Sequence, residues 1–113
     1  MDTRGKIIGA AEASRLADGG ATVVGGYFDP LVAWHAGRLG ELKRGATSLL
    51  VVVGAPRHPI LPARARAELV ASLRVVDYVT DADVTPQIRL DEEDAACFQN
   101  LVERVHARQD AAS

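Results

Sequence analysis

Residues 49–53 read Leu-Leu-Val-Val-Val, an aliphatic run without a polar interruption, closed by Gly54 and Pro56. A strand with one face in water alternates apolar and polar side chains. Five large aliphatics in a row therefore predict a strand covered on both faces, the habit of parallel sheets flanked by helices. The other segments fit around such a strand. Thr22–Gly25 is a β-branched run that ends in the glycine pair Gly25-Gly26, and RVVDYVTD, residues 74–81, contains a third short strand. Between the first two, Leu31, Trp34, His35, Leu39 and Leu42 recur at the spacing of one helical face, which Arg44-Gly45 closes. Pro62 opens PARARAELVASL, which suits a helix with proline in its first turn. Upstream, KIIGAAEASRL from Lys6 to Leu16 reads as a helix stopped by Gly19-Gly20.

Beyond the third strand, QIRL (residues 87–90) reads as a short edge strand. Asp91 to Gln109 reads as an amphipathic helix, with Ala95, Phe98, Leu101, Val102 and Val105 in one stripe and Asp91 as N-cap. The final QDAAS reads as a frayed tail. Strand and helix in alternation imply parallel pairing with right-handed crossovers. The expected architecture is thus a single α/β domain over residues 1–113, a three-layer α/β/α Rossmann-like fold with a small, mainly parallel sheet.

Composition narrows the function classes. A net charge of −2 offers no global field for a polyanion, so nucleic acid is not an expected partner. Cys97 is the only cysteine, which excludes an internal disulfide and suits a reducing, cytoplasmic setting. No leader pattern is visible, and no apolar run approaches the roughly 20 residues of a membrane span, so no membrane association is expected.

In an open parallel sheet, ligands bind beyond the carboxyl ends of the strands. Three segments are expected to converge there: GGYFDPL, GAPRHP and TDADVTP. In the first, a glycine pair leads to a helix whose N-terminal amides can face an anion. It is neither a GxxxxGK[ST] phosphate loop nor a GxGxxG fingerprint.

The stretch GGYFDPLVAWHAGRL, Gly25 to Leu39, resembles the G-x-F-D-x-x-H-x-G-H signature of the nucleotidyltransferase (cytidylyltransferase-like) superfamily. KIIGAAEASRL and LRVVDYV resemble the adenylyltransferase domain of ADP-heptose synthases and the glycerol-phosphate cytidylyltransferases, over about Lys6 to Val79. The resemblance implies transfer of a nucleotide from a nucleoside triphosphate to a phosphorylated sugar or alcohol, with release of pyrophosphate and Mg²⁺ as helper. It places Gly25, Gly26, Tyr27, Phe28 and Asp29 in the turn under the phosphates, and His35 on the second histidine of the motif as the catalytic candidate.

Several positions depart from that pattern. Val32 stands at the first histidine and can donate nothing; by analogy with a deleted oxyanion-hole donor, this costs ~2.7–4 kcal/mol of transition-state stabilisation. Trp34 stands at the motif glycine, and its indole is expected to occupy room a nucleotide needs. Ala55-Pro56-Arg57-His58 replaces a lysine-bearing loop, leaving Arg57 as the substitute cation. The family's later I-S-S/T-T segment has no counterpart, and DEEDAACFQNLVERV takes its place, so the fold is expected to be shortened at this end. The favoured expectation is a catalytically impaired relative that binds a nucleotide or phosphorylated small molecule. An active adenylyl- or cytidylyltransferase, with Mg²⁺, is the alternative.

Each candidate also has a plainer reading. His35 reads first as a packing or capping histidine and second as a phosphate contact; Trp34 reads first as a core or interface aromatic and second as a stacking platform. Arg57, His58, Arg64 and Arg66 form the densest basic cluster, a solvated face or an anion site near the crevice. Asp81 and Asp83 read as turn formers rather than metal ligands. His106 reads as a helix-end cation and Cys97 as a small buried hydrophobe. The last helix offers a face for a homodimer.

Overall fold

The computed structural model describes residues 3–29 and 31–90. The readings made for Asp91 to Gln109, for Cys97 and His106, and for the QDAAS tail lie outside the described residues. Among the described residues four strands, β1 (Thr22–Gly26), β2 (Leu49–Val53), β3 (Tyr78–Thr80) and β4 (Ile88–Arg89), form one sheet in the order β3-β2-β1-β4. Every pairing in it is parallel. Among the described residues three α-helices, α1 (Ala10–Asp18), α2 (Ala33–Arg44) and α3 (Ala63–Ala71), alternate with the first three strands. This is the α/β, Rossmann-like organisation that the alternation of patterns implies.

The uninterrupted run 49–53 is β2, flanked by β1 and β3, and all five of its residues are buried. Its register against β1 runs from Thr22 opposite Leu49 to Gly26 opposite Val53. Successive strand residues point to opposite faces, and two separate clusters follow from that period of two. Val24, Val51, Val53 and Val79 pack with Leu39 of α2 and with Ala67 and Val70 of α3. Val23, Leu50 and Val52 pack with Ala13, Leu16 and Ala17 of α1. Burying one such Val or Leu contributes roughly 1.5–3 kcal/mol, so aliphatic side chains suffice where aromatics are scarce.

The first helix departs from its sequence reading. It starts at Ala10 rather than Lys6, and Ile7 instead forms a parallel bridge with Val79 while the Ile8 amide donates to the Val79 carbonyl at 2.8 Å. Ile7 packs with the first cluster and Ile8 with the second. Two consecutive β-branched residues sent to opposite sides require extended backbone, and Gly9, itself extended, separates them from the helix. The pair also covers the outer edge of β3, which would otherwise present unpaired main-chain groups.

Main-chain and side-chain ties fix the amino end of β2. Asp77 Oδ2 accepts the Leu49 amide at 2.7 Å and also pairs with Lys43 Nζ at the end of α2. At the other edge, the Gln87 amide donates to the Val23 carbonyl at 2.9 Å, and the Gln87 Oε1 accepts the Val23 amide at 3.3 Å. QIRL is thereby held beside β1 as the short edge strand its sequence predicts. The chain leaves β3 on one side of the sheet and returns to β4 on the other, so β1 lies where the winding reverses.

No helix among the described residues is long and apolar enough to cross a membrane.

Candidate functional site

The reversal at β1 places a cavity of about 490 Å³ beyond the carboxyl ends of the strands. This is the position at which open parallel sheets hold ligands. Gly25 and Gly26 close β1 there, Gly54 follows β2, and Arg89 ends β4; the connection from β3 to β4 runs across as Asp81 to Pro86. Of the residues expected in the turn, Gly25, Gly26 and Tyr27 line this cavity. Phe28, Asp29, Trp34, His35 and Arg57 are not among its lining residues.

The glycine pair is packed against the protein itself. A β-carbon on Gly25 would stand 2.8 Å from Cγ of Pro86, and one on Gly26 would stand 2.8 Å from the Phe28 ring. Gly25 thus lets the β3–β4 connection settle onto the strand end, and Gly26 lets an aromatic ring fold back beneath the turn. Phe28 reaches that place with φ of 50°, the left-handed region, at a cost of roughly 1–2 kcal/mol. Its ring is buried and meets His35 edge-on, with centroids 5.3 Å apart. Burial of the ring offsets the backbone cost.

Asp29 is engaged on both oxygens. Oδ2 accepts the amide of Ile60 at 2.6 Å and Oδ1 that of Leu61 at 2.8 Å, which ties the turn after β1 to the loop before α3. His35 is buried and serves α2 from within. Val32, the N-cap residue, has no side-chain acceptor, and His35 Nδ1 reaches back to accept the Val32 amide at 3.1 Å. This is the returning half of a capping box. Trp34 lies edge-on to His35 at 5.3 Å and stays partly exposed. At α2's first turn its indole packs on the histidine and is not among the residues that line the cavity.

The expected basic cluster also divides. Arg57 and His58 are exposed in the loop after β2, and Arg64 pairs with Glu68 one turn along the outer face of α3 at 3.2 Å. Arg66 alone is buried, at 2% exposure, and lines the cavity. Its Nε donates to the Leu61 carbonyl at 3.1 Å, and Nη1 donates to the carbonyls of Tyr27, at 3.1 Å, and Gly54. Helical spacing carried the signal, because Arg66 stands four residues before Val70, on the face that packs against the sheet. Arg89, Asp81 and Asp83 also line the cavity and are exposed at its rim. The lining therefore combines two cations and two acids around glycine and proline.

No family model matches the chain, and no curated protein matches it.

Proposed function

We propose that the chain is a three-layer, nucleotidyltransferase-like domain that binds a nucleotide or a phosphorylated small molecule in the cavity beyond β1 and β2, without efficient nucleotidyl transfer. The observation that supports binding is the cavity's position at the winding reversal, with the Gly25-Gly26 turn of the resembling motif on its wall. One residue speaks against turnover. Val32 presents an isopropyl group where the signature has a histidine.

The donor set gives a resident Mg²⁺ little to hold. Both Asp29 oxygens already accept amides, and among the described residues no three His, Cys, Asp or Glu side chains converge. A Mg²⁺ would therefore arrive on the triphosphate, as part of the ligand, with Asp81 and Asp83 the carboxylates nearest to hand on the cavity rim.

Thermal shift and calorimetry with ATP and CTP, each with and without Mg²⁺, test the reading, together with a pyrophosphate-release assay across sugar and polyol phosphates. Saturable binding without pyrophosphate release is expected. No response to any nucleotide or phosphorylated compound overturns the binding claim. Release abolished by His35→Ala replaces the impaired reading with an active transferase.

A further inference from the structure

We infer that Arg66 is the anchor of an oxyanion site, holding the phosphate or carboxylate head of a small ligand inside the cavity. The inference deepens the reading above and rests on it only for the location of the ligand. A guanidinium carries five N–H donors in a fixed plane. In Arg66, Nε uses its hydrogen on Leu61 and Nη1 uses both of its own on Tyr27 and Gly54. The two hydrogens of Nη2 remain, and among the described residues neither a carboxylate nor any other acceptor takes them. No fully buried side-chain nitrogen among those residues lacks a partner, so Nη2 is not sealed within protein. The open space that Arg66 borders is the cavity.

Three carbonyls lock the guanidinium plane while its positive charge has no ionic partner among the described residues. A cation withdrawn from water in this way is stabilised by an anion that can enter the same space. Two hydrogens on one nitrogen suit a phosphate or carboxylate oxygen, and the rigid fork loses little freedom on binding. Arg89, paired in register with Gly25 across β1–β4, brings a second guanidinium to the same lining. Without a Mg²⁺ between them, Asp81 and Asp83 repel a second anionic group but accept hydroxyl or ammonium hydrogens. The ligand class is accordingly a single oxyanion head on a hydroxylated or amino-bearing body.

The probes are inorganic phosphate, pyrophosphate and acetate, titrated into the wild-type chain while NMR follows the Arg66 guanidinium and the amides of Gly25, Gly26 and Gly54. Saturable shifts at the guanidinium and at these amides are expected with phosphate or acetate, and the stronger of the two identifies the head group. Arg66→Lys should abolish the response, and Arg89→Gln, at an exposed position, should weaken it by about tenfold. If Arg66→Lys does not fold, the wild-type guanidinium signals and Arg89→Gln decide alone. A guanidinium that stays unshifted with all three anions overturns the inference. Phosphate binding at Arg66 without any nucleotide binding leaves this inference standing and removes the nucleotide from the proposed function; nucleotide binding that leaves Arg66 unshifted does the reverse.

Discussion

The carboxylate of Asp29 accepts the main-chain amide of Leu61, a residue separated from it by the whole of α2 and β2, at 2.8 Å. With the neighbouring Ile60 amide on its other oxygen, this one side chain fixes the distance between the loops on either side of the strand ends. Hydrogen bonds to a charged group contribute ~1.5–3 kcal/mol each when shielded, and less where water competes, as it does at Ile60. Asp29→Ala is expected to destabilise the fold by about 2 kcal/mol in urea denaturation. Asp29→Asn should lose roughly half as much, because the amide oxygen can still accept one bond. Equal midpoints for Asp29→Ala and wild type would remove the role assigned to this contact.

The close approach of Gly25 to Pro86 makes a size-dependent prediction. Gly25→Ala forces apart a β-carbon and Cγ that would stand 2.8 Å from each other, which should cost ~1–3 kcal/mol as an overpacking effect. Pro86→Ala removes Cγ and Cδ but keeps the β-carbon that would stand 3.0 Å away, so the double variant should recover part of that loss. A thermodynamic cycle over the four proteins measures the coupling; strict additivity would show that the glycine is needed for some other reason.

Capping by His35 can be separated from its packing. His35→Ala removes both the acceptor for Val32 and a ring held between Phe28 and Trp34, and about 3 kcal/mol of stability should be lost. His35→Asn keeps an oxygen near the position of Nδ1 and should retain about 1 kcal/mol of that. Trp34 is the chain's only tryptophan, so its fluorescence reports directly on this helix end during unfolding. Asn and Ala variants of equal stability would argue that the ring alone matters.

Asp77 and Lys43 should respond unequally to replacement. Asp77→Ala strands the Leu49 amide at the start of the central strand and is expected to cost about 2 kcal/mol. Lys43→Met leaves that bond intact and loses a partly exposed ion pair, worth roughly 0–1 kcal/mol, together with an exposed hydrogen bond to the Thr47 carbonyl. Differential scanning calorimetry on the two variants makes the comparison. A Lys43→Met loss as large as that of Asp77→Ala would put the ion pair, not the strand amide, at the centre of this junction.

The sheet was legible where one local pattern allowed one arrangement. Leu49–Val53 could be buried on both faces only inside a parallel sheet, and Pro62 marks a helix start by its fixed φ. Ile7 and Ile8 were not legible, because two residues cannot separate a period of 2 from one of 3.6. Their conformation is decided by the open edge of β3, which is distant in sequence. At the candidate site the same contrast holds. A glycine pair at a strand end signals close approach, and such approach is present, but whether ligand, Pro86 or Phe28 makes it depends on tertiary structure. Arg57 stands out in the sequence by its position after the strand, whereas Arg66 reaches the cavity because its helix turns it inward. Charge density along a sequence does not distinguish an outward arginine from an inward one; its phase relative to Ala67 and Val70 does.

The route of the chain from β3 back across the strand ends to β4 sets an order of events during synthesis. A nascent polypeptide arrested at Thr80 would own three strands and Arg66 but lack both the Asp81–Pro86 roof and Arg89. The lining of the cavity is therefore complete only once the chain has been made through β4.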